Sequence, residues 1–185
     1  DVLARVANDL ETNLKEEAFR LPPFVETMVA EGAVGEKAGR GFFQKVKGPD
    51  GSQIHVRDIA GSRYVPRVKA RFPSVEAAKS IDNLGARIRT LFLAQDRAGE
   101  FLRATLGPTL LYGGRITLDV ALSPDDVDRA MRWGFGWELG PFETWDAIGL
   151  QDLLTAVGLS AADAPPLVAS AIAAGRNRVS DEGLP

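Results

Sequence analysis

The sequence predicts a mainly α-helical chain, built from a duplicated helical unit and interrupted by one small β-hairpin. Three observations predict this. Apolar residues recur at helical spacing along most of the chain, with proline or serine at the starts and glycine after the ends. Residues 22–32 and 165–175 are near copies of one another. One strong turn signal, Gly48-Pro49-Asp50-Gly51, separates two short alternating segments.

The elements follow in order. Residues 2–18 read as a helix with Val2, Leu3, Val6, Leu10 and Leu14 on one side. A proline-started helix covers 22–31, and a glycine-rich loop follows it through Gly35, Gly39 and Gly41, with Phe42 and Phe43 as its anchors. Strands at 42–47 and 52–57 form the hairpin, and 58–73 reads as extended linker holding Pro66 and Pro73. Ser74 is expected to cap a helix to about residue 82, and a second runs over about 84–94. The longest helix spans 97–113, with Ala98, Phe101, Leu102, Thr105 and Leu106 inward and a bend at Gly107-Pro108.

The stretch 131–149 is the most distinctive, because it holds all three tryptophans of the chain, Trp133, Trp137 and Trp145. Ser123 caps the helix before it, Pro124 fills the first turn, and Asp125 and Asp126 sit at the positive end of the helix dipole. Val127, Ala130 and Met131 mark its buried side, and Gly134 and Gly136 end it. Gly140-Pro141 opens the next helix, Phe142, Trp145 and Ile148 give it one apolar face, and Gly149 stops it. The aromatic residues are expected to anchor this corner in the core.

The repeat has an offset of 143 residues. Pro, Pro, Val, Ala and Gly recur in place between 22–32 and 165–175, and upstream, across loops of different length, Asp1 to Val6 resembles Asp152 to Val157. A duplicated helical unit predicts a second Gly-Pro-Phe-type corner ahead of Asp1 in the complete polypeptide. The expected domains are 1–47, the end of a first helical domain; 48–73, a hairpin arm and linker; and 74–185, a second helical domain incomplete at its end.

A chain of 185 residues can bury a real core in one or two domains. With 22 basic and 25 acidic residues the net charge is −3, which argues against a nucleic-acid partner. The absence of cysteine excludes disulfides and Cys-based zinc sites. No apolar run has membrane-spanning length, so no membrane partner is expected. The expected location is cytoplasmic. The chain opens on Asp1 rather than methionine and reads as a piece of a longer polypeptide.

Candidate chemistry is sparse. The single histidine, His55, lies in the second hairpin arm and reads as a strand residue rather than a base. Neither Gly35-x-x-x-Gly39-x-Gly41 nor Gly134-x-Gly136-x-x-x-Gly140 has dinucleotide-loop spacing or a preceding strand. Lys37 and Arg40 suit a phosphate or are solvated turn charges, the second reading being the simpler. Asp125, Asp126 and Asp128 suggest a hard metal or simply a helix start, and the latter again explains them better. Glu143 and Asp146 are three apart on one helix, with nothing else to mark an acid–base pair. No catalytic, cofactor-binding or metal-ligating residue is therefore assigned, and the substrate-binding residues are unknown.

Lys37-Ala38-Gly39-Arg40-Gly41-Phe42-Phe43 resembles the closing Lys-x-Gly-Arg-Gly-Phe-Tyr motif of the C-terminal helical domain of 3-hydroxyacyl-CoA dehydrogenases. Asp128, Ala130, Met131, Gly140, Pro141, Phe142, Asp146 and Gly149 resemble that domain's Asp-x-Ala-Met…Gly-Pro-Phe…Asp-x-x-Gly signature. Phe72 to Lys79, Asp96 to Gly99 and Trp133 to Trp145 look closest to the large bacterial β-oxidation fusions of dehydrogenase and enoyl-CoA hydratase. The resemblance implies a 3-hydroxyacyl-CoA substrate, oxidation of its 3-hydroxyl, and NAD as hydride acceptor in the full-length enzyme, with none bound to this piece. It implies an N-terminal NAD-binding domain of the same polypeptide that holds the catalytic His–Glu pair, which no position here matches. Where the family's first helical domain carries an Asn-Arg pair near substrate, this copy has Asp96-Arg97, which implies packing, domain docking or homodimerisation instead. The alternatives are a non-catalytic helical interaction module, and the C-terminal domain of another Rossmann-type hydroxy-acid dehydrogenase.

Overall fold

In the computed structural model, residues 2–49 and 51–180 are described; Asp1, Asp50 and residues 181–185 lie outside the described residues. The chain forms two compact units, Asp1–Ala70 and Arg71–Pro185. It is mainly helical, as expected, with one small antiparallel sheet.

Unit 1 opens with α1 (Val2–Leu14). Lys15 at φ 55 breaks it, so the tail of the expected 2–18 helix becomes a separate 3₁₀ turn, Glu17–Phe19. α2 (Pro23–Ala30) starts on proline, whose missing N–H costs nothing in a first turn. The sheet follows as β1 (Phe43–Gly48), β2 (Gly51–Asp58) and β3 (Arg63–Pro66), in the order β1-β2-β3. The hairpin is in register from Phe43 opposite Val56 to Gly48 opposite Gly51. β3 is a correction: it lies inside the expected linker and pairs antiparallel with β2. It ends on Pro66, which an edge strand tolerates because that edge needs no donor.

Unit 2 contains α3 (Pro73–Ala78), α4 (Leu84–Phe92), α5 (Arg97–Val120), α6 (Pro124–Phe135), α7 (Pro141–Ile148), α8 (Leu150–Ala156) and α9 (Pro166–Ala173). Its core joins Phe92, Leu110, Phe142, Trp145, Ile148, Leu153, Leu154 and Val168. Ser74 does not cap α3; Phe72 holds that position, and Ser74 donates to Asp96 instead. α5 runs through Pro108 to Val120, seven residues past its expected end. Its inward side is also different, since Phe101 and Thr105 are exposed while Gly99, Gly107, Leu110, Gly114 and Thr117 are buried. The helix packs through glycine: a Cβ on Gly107 would press on Val157, and one on Gly114 on Pro165 and Trp145. Arg103 closes the α4–α5 turn by donating to the carbonyls of Phe92 and Ala94, both at 2.7 Å.

The repeat recurs in the backbone. α2 and α9 are both eight residues long and are offset by 143 at each end. Each ends on a left-handed glycine, Gly32 at φ 71 and Gly175 at φ 68. The bonds Glu31 N to Thr27 O, Gly32 N to Val29 O and Ala33 N to Met28 O recur as Ala174 N to Ser170 O, Gly175 N to Ile172 O and Arg176 N to Ala171 O. A 3₁₀ turn precedes each helix, Glu17–Phe19 in one and Ala161–Asp163 in the other.

Candidate functional site

The polar groups of unit 2 converge on α7. This helix is buried along Pro141, Phe142, Glu143, Thr144, Trp145 and Ile148. A buried helix start has N–H groups that water cannot reach, so side chains must bind them. Asp128 of α6 does so, accepting from Phe142 N at 2.7 Å and Glu143 N at 3.0 Å. Glu143 turns back, accepting from Gly140 N at 2.6 Å and from Arg132 at 2.6 Å. Gly140 is required here because a Cβ would collide with the backbone and side chain of Asp128. Burial pushes the Asp128 carboxyl up to about 7, against the two backbone bonds that favour its charged form.

Asp146 anchors the following chain, accepting from Val179 N at 2.7 Å and Ser180 N at 3.0 Å. Burial raises it to about 6. The Ser180 hydroxyl donates to Asp125 at 2.7 Å. Gly149, at φ 104, ends α7 beside the Arg89–Asp152 ion pair of 2.5 Å.

These acids are occupied in holding backbone. Asp126 binds Ser123 and Arg129, and its carboxyl is held below its ordinary value chiefly by the Arg129 hydrogen bond. No group of three or more His, Cys, Asp or Glu suited to a metal occurs among the described residues. No helix among them is long and apolar enough to cross a membrane.

In unit 1 the loop 35–41 is tied down on its own unit. Arg40 donates to the Glu31 carbonyl at 2.9 Å, and Tyr64 donates to the Gly41 carbonyl at 2.6 Å. A Cβ on Gly41 would come within 2.8 Å of Gly35 Cα, so the motif needs glycine for close backbone approach. Lys37 is exposed, and His55 pairs across β1 with Gln44. The Phe anchors are weaker than expected: Phe42 touches Phe24 edge-on, but both Phe42 and Phe43 are exposed.

Residues 101–177 match the sequence profile of the 3-hydroxyacyl-CoA dehydrogenase C-terminal domain. They belong to that domain family. Among curated proteins, the chain is 39% identical over 163 residues to a probable 3-hydroxyacyl-CoA dehydrogenase of Bacillus subtilis (strain 168). That match covers 88% of this chain and 20% of the relative, so the chain spans about a fifth of the relative's length. No solved structure matches the chain.

The dehydrogenase-domain signature is thereby explained as architecture. Asp128, Gly140, Pro141 and Phe142 form the α6–α7 junction, Asp146 holds the segment after α9, and Gly149 makes the α7–α8 break. Three residues of the signature region depart from expectation. Ala130 is exposed, Gly134 lies inside α6 rather than ending it, and Trp133 is 77% exposed where Trp145 is fully buried. Sequence reasoning missed Asp128 as the buried capping group, because its partners lie 14 and 15 residues away.

The residues do not fit a dinucleotide. Gly136 closes α6, Gly140 is packed against Asp128, and the 35–41 loop follows a helix. Among the described residues the sheet is antiparallel, without a strand–loop–helix crevice of the kind that binds pyrophosphate. Asp96, at the position where the resemblance places the family's Asn, is the N-cap of α5. It accepts from Ser74 N and Oγ, Ala98 N and Gly99 N at 2.9–3.2 Å. Burial opposes its ionisation, but these hydrogen bonds outweigh that and hold the carboxyl below its ordinary value.

Proposed function

We propose that this chain is the C-terminal helical part of an NAD-dependent 3-hydroxyacyl-CoA dehydrogenase of fatty-acid β-oxidation, a cytoplasmic oxidoreductase. Residues 1–47 close a first helical domain, 48–73 form an arm and linker, and 74–185 make a second domain. The observation that carries this reading is the 39% identity over 88% of the chain to a probable 3-hydroxyacyl-CoA dehydrogenase. The chain completes the acyl-CoA cleft and serves domain packing or homodimerisation. Hydride transfer and proton removal belong to an N-terminal NAD-binding domain of the same polypeptide, and the piece alone is inactive. The engagement of Asp96, Asp128 and Asp146 with backbone N–H groups supports a structural role for unit 2.

The experiment is turnover of acetoacetyl-CoA with NADH by the full-length polypeptide and by the 185-residue piece. The reading expects turnover by the first only. A full-length polypeptide that reduces small oxo acids but not acetoacetyl-CoA would replace this reading with another hydroxy-acid dehydrogenase. Micromolar acyl-CoA binding by the piece alone, measured calorimetrically, would refute the assignment of the ligand sites elsewhere.

A further inference from the structure

The two copies of the repeat bury their apolar faces differently. Leu153 and Leu154 of α8 are 0% and 1% exposed, whereas Val2 and Leu3 of α1, the positions the repeat pairs with them, are 71% and 75% exposed. Val168 and Ala171 of α9 are fully buried. Of their counterparts at the same offset, Met28 is buried but Val25 only half-buried, and both line a groove with Leu3, Leu21 and Phe42. In unit 2 the cover is α7, whose Phe142, Trp145 and Ile148 share one cluster with α8 and α9. Unit 1 holds no counterpart of α7 among its described residues.

We propose that the face formed by Val2 and Leu3 of α1 and the α2 groove is a docking surface for an α7-like helix of the same polypeptide, lying ahead of Asp1. The repeat selects this occupant. α7 is separated from α8 by Gly149 alone, so its counterpart falls immediately before α1. It opens on Gly-Pro and presents an aromatic residue to the groove.

The register has a second marker. Asp146 of α7 binds the Val179 and Ser180 N–H groups, and the offset of 143 pairs these with Glu36 and Lys37. Glu36 and Lys37 begin a 3₁₀ turn that receives no side-chain cap, and their N–H groups have no acceptor among the described residues. An Asp four residues after the first aromatic of the incoming helix meets them. The inference rests on the repeat and on exposure, and it stands whether or not the polypeptide is a dehydrogenase.

Hydroxyl-radical footprinting of the unsubstituted full-length polypeptide tests the docking. Each residue is compared between the native and the urea-unfolded protein. Leu3 is expected to oxidise about tenfold more slowly when native, as stable burial requires. Val68, which is 86% exposed, serves as the unprotected reference. Equal rates for Leu3 in both states overturn the proposal. Photo-leucine at Leu3, close in shape to the native side chain, then identifies the occupant. A cross-link within the same chain to a Gly-Pro-aromatic segment ahead of Asp1 supports the proposal. A cross-link to a second copy, to unit 2, or to residues beyond Pro185 overturns it.

Discussion

Asp128 and Phe142 are 14 residues apart in sequence, and the carboxylate of one accepts the backbone N–H of the other at 2.7 Å. This bond joins α6 to the buried start of α7 and is seconded by Glu143 N at 3.0 Å. The pair explains why Asp128 is 2% exposed. A carboxylate suits the site because both of its oxygens accept and the donors belong to the positive end of a helix. Asp128→Ala leaves two buried N–H groups without an acceptor and should cost about 3 kcal/mol. Urea unfolding followed by tryptophan fluorescence reads unit 2, since every tryptophan lies there. A midpoint unchanged from wild type would show that the bond contributes little.

The same carboxyl sets a pH dependence. Asp128 and Asp146 titrate at about 7 and about 6 in the folded chain, both raised by burial. Their unfolded values are near 4, so between about pH 4 and 7 the folded state binds more protons. Their contribution to stability is therefore full below about pH 4 and is lost as pH rises through 6 and 7. Asp96, Asp126 and Asp163 are shifted the other way, and their contribution disappears in acid as pH falls through their lowered folded values. Melting temperature should rise from pH 7.5 to about 5, then fall in stronger acid. Asp128→Asn should flatten the rise between pH 5 and 7. A wild-type melting temperature that increases steadily from pH 5 to 8 would contradict the assignment.

Much of α7 was legible from sequence. Proline at its start, large apolar residues at 142, 145 and 148, and glycine at its end are local signals, and each works locally. α5 was legible only in part. Its buried stripe contains Gly99, Gly107 and Gly114, and these matter through what approaches them: Ala94, Val157, Phe92, Pro165 and Trp145. Phe101 carries the stronger apolar signal yet faces out, because close helix contact selects small residues over large ones. β3 was hidden because an edge strand of four residues with a proline has the composition of a linker. The acids of α6 looked alike in sequence. Only the long-range contacts separate Asp126, whose side chain binds Ser123 and Arg129 at the start of its own helix, from Asp128, which caps another.

Two glycines in this region should respond oppositely to alanine. A Cβ at Gly140 would overlap Asp128, whose backbone cannot yield without opening the α6–α7 junction. Gly140→Ala should destabilise by about 3 kcal/mol through overpacking. Gly134 lies inside α6 with open space around its missing Cβ. Gly134→Ala should stabilise by about 0.5–1 kcal/mol, because alanine has less backbone freedom to lose in a helix. Denaturant midpoints of the two variants measure both. Equal destabilisation by the two would mean that Gly134 meets a surface in solution.

Asp96 separates a structural from a substrate role for this domain. Its carboxylate receives two N–H groups from the first turn of α5 and two donors from Ser74. Asp96→Ala in the full-length polypeptide should lower the melting temperature, through loss of an N-cap and a tertiary hydrogen bond. Asp96→Asn should recover most of that, since the amide oxygen still caps the helix. Neither change should alter KM for a 3-hydroxyacyl-CoA at temperatures where the variant stays folded, because the acceptor oxygens are already engaged within unit 2. The decisive measurement is the ratio of KM to kcat across the two variants, at matched folded fraction. If KM rises for Asp96→Asn while stability is preserved, this position contacts substrate, and unit 2 contributes to the acyl-CoA cleft as well as to its support.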